Sequence, residues 1–441
     1  MQIKKMALRQ ASANLLLVML VVFSAFFLLN SELEGWGSPI PNLIFLEYLV
    51  VLYIFFRIKQ RNLSFLLLLF PIFKSIYFSM YDPAWVSIGD FSAYIEMLQY
   101  QFPTGLTWVV LLNAIHTIGK FYYLTIFNMY IPMRLYDITS GSPNAAIFLY
   151  FNDFVFLILT AMTVNALKSI LDDKIILFFV IFLLFSPTTL ADTIYPDRHI
   201  FSLFALLWFV SGCIRIRNGG SKLDFYLIIS LVLIFINKPQ LLIAILLYII
   251  YLNRSKFLDV RWLLPMLSLL ALLVVYNLSI SGLGVYLAYK EYGYAATAIQ
   301  IQRVMGPLYY LVMPIVKYIY GLFSPFPWYK FSVFLIGAAG SPLTLAMVYF
   351  NSVFGVGIVI ALFRHFKQIK SHQFYYENFI LFGLIMSLTI IPADIGHSGY
   401  LALYYVLFLP IFFILGWSRS AVIFFSSLIL ILLLNLLVFF A

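Results

Sequence analysis

Apolar runs of membrane-spanning length recur from one end of this chain to the other, and they limit its folds more than any motif does. In the first half they fall near residues 13–30, 43–56, 63–79, 144–167, 175–190, 200–214, 223–236 and 241–252. Later runs cover 262–280, one span or three within 307–363, then 378–392, 401–416 and the last residues. About 17–25 apolar residues suffice for a helix to cross a hydrocarbon core of roughly 30 Å. Inside lipid the backbone must satisfy its own polar groups, which leaves helices or closed barrels. A barrel strand alternates apolar and polar positions, and these runs do not. The expectation is an all-α, polytopic helical membrane protein with about 11–13 transmembrane helices. It forms a single integral membrane domain over residues 1–441. Composition agrees, since 64% of the residues are apolar and 10% are charged, whereas a globular chain is roughly half apolar.

Several function classes fall away on composition. The single cysteine, Cys213, lies in an apolar run, so no intrachain disulfide or thiolate metal site is expected. The five histidines are scattered, without a paired metal-binding spacing. Neither a metal nor a cofactor is expected. The net charge of +10 would suit nucleic acid, but the basic residues are dispersed among short loops between spans. They read as topology determinants, and no nucleic-acid partner is expected. Residues 14–30 resemble a signal peptide, yet no small-residue cleavage site follows, so a retained first span is expected.

Basic clusters orient the chain. Lys4, Lys5 and Arg9 precede the first span and predict a cytoplasmic N-terminus. Arg57, Lys59 and Arg61, then Lys168 and Lys174, then Arg215, Arg217 and Lys222 recur on the same side when spans are counted. Arg254, Lys256 and Arg261, then Arg364, Lys367 and Lys370, and finally Arg419 continue the pattern. Two long regions fall on the outer side. Residues 80–143 carry apolar segments interrupted by Asn113, His116, Lys120 and Asn128, which read as interfacial amphipathic helices, a re-entrant pair or two short spans. Residues 281–342 form a second external region that is discontinuous at Pro325-Phe326-Pro327-Trp328 and Gly340-Ser341-Pro342. Lys74, near the outer end of the 63–79 run, is an exception to the placing of polar residues at span ends, as are Lys168 and Lys317.

Polar islands on the outer side supply the candidates for chemistry. The densest is Asp192-Thr193-Ile194-Tyr195-Pro196-Asp197-Arg198-His199. Others are Ile88 to Glu96 and Asp394-Ile395-Gly396-His397-Ser398-Gly399-Tyr400. Asp90 and Asp197 are candidate general bases. Arg198 offers a planar fork that matches phosphate oxygens. Plainer readings stand beside these: Asp197 and Arg198 as a pair in a solvated Pro196 turn, and Asp90 as a helix N-cap. In a helix, Tyr94 would share the face of Asp90. Tyr195 and His199 flank the Asp197–Arg198 pair. Lys238, in Asn237-Lys238-Pro239-Gln240 at a hairpin tip, either snorkels to the surface or meets an anion in a cavity. Arg303 and Lys290, with Tyr286, Tyr289, Tyr292 and Tyr294, read as a cationic aromatic wall or as an interfacial aromatic belt. His397, which also reads as structural, and Tyr400 complete the substrate-binding set.

Cations suit a diphosphate, and aromatic faces with carboxylates suit a sugar. Fixed positive groups would stabilise charge developing on a diphosphate leaving group. A placed acid would take the proton of an acceptor hydroxyl. The combination suits glycosyl transfer from a lipid-linked sugar diphosphate.

Gly89-Asp90-Phe91-Ser92-Ala93-Tyr94, then Phe102-Pro103-Thr104-Gly105-Leu106 and an apolar run ending at Ile118-Gly119, resembles the opening external loop of the Wzy-type and EpsG-like polysaccharide polymerases. Arg198-His199-Ile200-Phe201-Ser202-Leu203-Phe204-Ala205 also resembles that group's arginine ahead of a span. The resemblance covers the outline of the first 250 residues or so. It departs at Asn237-Lys238-Pro239-Gln240, where the family carries a histidine, and at Asp394–Tyr400, where a late arginine is missing. It implies a fold like the GT-C glycosyltransferases in the bacterial inner membrane, with a periplasmic active site. The implied reaction joins undecaprenyl-diphosphate-linked oligosaccharide repeat units into O-antigen or capsular polysaccharide and releases undecaprenyl diphosphate. Asp90, Tyr94 and Arg198 are the residues it carries over. Membrane lipids and a chain-length regulator protein are the further partners it implies. A GT-C enzyme of serotype modification that adds one sugar, and a flippase for lipid-linked saccharide, are the alternatives.

Overall fold

The computed structural model describes residues 39–58, 66–79, 145–185, 198–221, 223–238, 241–253, 303–308, 312, 342–390 and 415–440. Among these residues every regular element is helical, and ten helices are at least ten residues long. The chain divides into two compact units. One holds residues 1–237 with 334–339, and the other holds 238–333 with 340–441.

Six helices belong to the first unit. They are α1 (Pro39–Arg57), α2 (Phe70–Ser79), α3 (Ala145–Leu167), α4 (Asp173–Phe185), α5 (Arg198–Arg217) and α6 (Phe225–Asn237). Side-chain pairings fix their directions. Tyr53 and Arg57 near the end of α1 reach Asn165 near the end of α3, at 2.8 and 2.7 Å. Phe156 of α3 stacks against Phe204 of α5, Trp208 Nε1 donates to Thr163 Oγ1 at 2.8 Å, and Arg215 donates to the Ala166 carbonyl. Residue numbers rise together between α3 and α5, and Lys74 joins Glu47 to Asp153 earlier along both α1 and α3, so α1, α3 and α5 run parallel. Their C-terminal ends gather Arg57, Lys168, Arg215 and Arg217 on one side of the unit. Cations there also complement the negative ends of the helix dipoles.

The turn from α5 into α6 is built from local chemistry. Gly219 adopts φ +85°, its N–H bonds to the Ile216 carbonyl, and the Gly220 N–H reaches back to the Arg215 carbonyl at 2.8 Å. This pair of bonds is a Schellman ending, which needs a left-handed residue that glycine provides without strain. Asp224 then caps α6 by accepting the Leu227 N–H at 3.1 Å. The two helices return antiparallel and close, because a Cβ at Gly212 would stand 2.9 Å from that of Leu227.

Two helical stretches, Tyr150–Leu167 and Ile200–Arg217, are long and apolar enough to cross a membrane. Within such helices polar side chains must find partners, and Thr160 and Thr163 donate back to the Phe156 and Leu159 carbonyls. On α6 apolar side chains face outward and polar ones lie inside. Phe225, Ile228, Val232 and Phe235 form an exposed stripe, while Tyr226, Ser230 and Asn237 are buried together with Ile234.

The second unit contains α7 (Leu241–Leu252), α8 (Pro342–Ser371), α9 (Gln373–Ile390) and α10 (Trp417–Phe440). Tyr248 on α7 donates to Glu377 on α9 at 2.6 Å, and the hydroxyls of Tyr251 and Tyr376 meet at 3.0 Å. Val353 and Val356 of α8 pack with Ile360 and with Leu428 of α10.

The apolar runs at 43–56, 144–167, 200–214, 223–236 and 241–252 correspond to α1, α3, α5, α6 and α7 within a few residues. One boundary differs. The run at 63–79 does not form one helix, since a turn at Leu69 precedes α2. Pro71 has no N–H to give to Leu67, so the helix must restart there. The break expected at Gly340-Ser341-Pro342 coincides with the start of α8, and the end expected near 363 falls two residues short of a break at His365, where the backbone is non-helical (φ −125°, ψ 20°). A second helical piece then carries Lys367 and Lys370 to Ser371. Lysine and arginine are good helix formers, so a basic cluster need not be a loop. The expected spans at 13–30 and 262–280 and the interfacial segments of 80–143 lie outside the described residues, as does nearly all of the span at 401–416.

Candidate functional site

The first unit carries polar chemistry at three levels. At the end where α1, α3 and α5 finish, Arg215 holds Asp224 with both arms of its fork, Nε to Oδ2 and Nη2 to Oδ1, each at 2.7 Å. Its remaining nitrogen serves the Ala166 carbonyl, and its guanidinium lies 5.1 Å from the Tyr226 ring. Burial alone would push the Asp224 carboxyl up. The Arg215 guanidinium and the N–H groups of Leu227 and Tyr226 outweigh it and hold the carboxyl below its ordinary value of 3.8. A carboxyl lowered by folding stabilises the fold above the unfolded value, and that contribution is lost as pH falls through the folded one. Thermal melts in detergent should therefore show acid destabilisation setting in below about pH 4. Asp224→Asn should remove that component, and superimposable acid profiles for the variant and the wild type would contradict it.

In the middle of the unit three buried charges meet. Lys74 on α2 pairs with Glu47 on α1, Nζ to Oε1 at 3.0 Å, and with the carboxylate of Asp153 on α3. Relative exposures are 0% for Lys74, 1% for Glu47 and 0% for Asp153, so the cluster has no access to water. The Tyr150 ring lies 5.2 Å from the ammonium. Lys74 is therefore enclosed by two acids within the bundle.

At the opposite end from Arg215, Arg198 and His199 open α5. The start of α5 lies beside the end of α6, because Asn237 Nδ2 donates to Ser202 Oγ at 3.0 Å, both buried. Lys238, the first residue of the second unit, is buried, and its carbonyl accepts the Leu241 N–H at 2.9 Å ahead of α7. The chain matches no family model, no curated protein and no solved structure.

Of the residues singled out from sequence, Arg198 and His199 thus share a helix start, with Ser202 and Asn237 beside them. Lys238 is buried. Arg303 opens a short helical stretch and is exposed. Asp90, Tyr94, Tyr195, Asp197, Lys290, His397 and Tyr400 lie outside the described residues, as does Lys317. Lys168 ends α3 and pairs with Asp173 at 3.7 Å, a turn contact that accounts for it. Glu47 and Asp153 were not legible as site residues. The available signal was a lone acid in each of two apolar runs, with a lone lysine in a third.

Proposed function

We propose that this chain is a multi-pass membrane enzyme of GT-C type that polymerises lipid-linked oligosaccharide repeat units on the periplasmic face of the bacterial inner membrane. The observation that carries the reading is the polarity of the α1–α3–α5 bundle. One end collects the cations that mark a cytoplasmic face. The other end presents Arg198 and His199 at the start of a spanning helix, next to the buried Ser202–Asn237 pair. The apolar stripe of α6 suits lipid contact, whereas water would disfavour it.

In this reading the acceptor hydroxyl of one lipid-linked unit attacks the anomeric carbon of the sugar on another. Asp197 or Asp90 takes the hydroxyl proton as the new glycosidic bond forms. The bond to the diphosphate breaks, and undecaprenyl diphosphate leaves with the electron pair. Arg198, with Lys238 as a further cation, offsets the charge that grows on the leaving diphosphate. Tyr94, Tyr195, His199, Lys290, Arg303, His397 and Tyr400 are assigned to saccharide and diphosphate binding. A chain-length regulator is the partner expected to set the number of repeats.

A second reading, a flippase for lipid-linked saccharide, is favoured by the Glu47–Lys74–Asp153 cluster, because transporters place paired charges at membrane depth. One experiment separates the two. In a host lacking the gene, wild type and Arg198→Ala are expressed to equal levels, and surface polysaccharide is resolved by length. Loss of one transition-state cation should reduce polymer by about 100-fold or more and leave a single repeat on each lipid core. A full ladder from Arg198→Ala removes the polymerase site drawn here. Loss of even the single-repeat product on gene deletion assigns the chain to export.

A further inference from the structure

The three charges in the middle of the first unit do not cancel. Among the described residues two carboxylates face one ammonium, which leaves one unit of negative charge with no access to water. Such an imbalance is strongly unfavourable away from solvent. The hydrogen bonds do not close either. Lys74 serves Glu47 Oε1 and contacts Asp153 Oδ2, while Glu47 Oε2 and Asp153 Oδ1 accept nothing. A single proton on one carboxyl corrects both faults. It removes the net charge and turns an acceptor without a donor into a donor. An alkali ion would correct only the charge. It needs several oxygen ligands, and the ammonium that already touches both carboxylates would repel it.

We propose that the Glu47–Lys74–Asp153 triad is a proton-binding site within the helix bundle, holding one exchangeable proton on its carboxylates. Among the described residues the groups shown to face it include the three members themselves and the Tyr150 ring, whose face supports the cation. Carboxylates paired with a base at membrane depth are the parts from which proton relays are made. The inference does not rest on the polymerase reading, since the triad lies apart from the Arg198 end.

The test is infrared spectroscopy of the full-length protein in detergent at neutral pH, in H2O and in D2O. The wild type should show a buried protonated-carboxyl band that shifts down in D2O. Glu47→Gln and Asp153→Asn should each lose it, because one carboxylate left against Lys74 forms a neutral pair that needs no proton. Glu377→Gln should retain it, which separates it from the other glutamate that is buried among the described residues. The band should be unchanged when K+ replaces Na+. No band in the wild type, a band retained in both triad variants, or a band that Na+ removes would each overturn the proposal. Should either triad variant fail to fold, the wild type and Glu377→Gln still decide, since loss of the band in Glu377→Gln assigns it elsewhere.

Discussion

Lys74→Met should cost the protein about 3–5 kcal/mol of stability, the largest loss expected from any single change in the first unit. Methionine fills much of the lysine's volume, so the loss isolates the charge. Without the ammonium, Glu47 and Asp153 are two buried acids with no base between them, on helices that must still pack together. The measurement is the yield of monodisperse protein in detergent and its melting temperature. Neutralising the acids as well should restore much of the loss, because a buried ion cluster replaced whole by neutral groups of similar shape is often tolerated. The triple variant Lys74→Met, Glu47→Gln, Asp153→Asn should therefore be more stable than Lys74→Met alone. If Lys74→Met melts with the wild type, the triad is not the closed cluster described above.

The helices were legible in the sequence where one physical signal governed them. The apolar runs that became α3, α5 and α6 are bounded by charge, glycine or proline, so their ends fall where backbone bonding must stop. Pro71 overrode an apolar run that looked continuous, whereas the basic cluster of Arg364, Lys367 and Lys370 does coincide with a backbone break, at His365. The triad was illegible for a different reason. Each of Glu47, Lys74 and Asp153 is a lone charge in its own run, and even the nearest pair, Lys74 and Glu47, is 27 residues apart. Only the packing of α1 against α2 and α3 shows that the three converge. Conversely, the polar islands stood out in sequence because they are local. Arg198 and His199 could be named from sequence, but their position beside Ser202 and Asn237 required the antiparallel return of α6.

Arg215→Ala should destabilise the unit by about 3 kcal/mol. Arg215 ties three helices together, donating to Asp224 at the start of α6 and to the Ala166 carbonyl of α3 from its place on α5. The side chains of the pair are 11% and 13% exposed, so the loss is not screened as a surface pair would be. Alanine would leave a largely buried carboxylate and a carbonyl each without its donor. Arg215→Lys should recover little, because one ammonium cannot present a two-pronged fork to Asp224 and a third donor to Ala166. Adding Asp224→Asn to Arg215→Ala should cost less than the sum of the single losses, with a coupling of about 0.5–3 kcal/mol. Thermal melts of the four proteins in detergent test this, and strictly additive losses would show that the pair is not coupled. The same series bears on function. Arg215 lies at the opposite end of α5 from Arg198, so on the proposed polymerase reading Arg215→Ala should lower polymer only in proportion to the folded protein that remains. On the same reading Arg198→Ala should reduce polymer by about 100-fold or more at full expression, and that contrast separates a residue that holds the bundle from one proposed to act on the diphosphate.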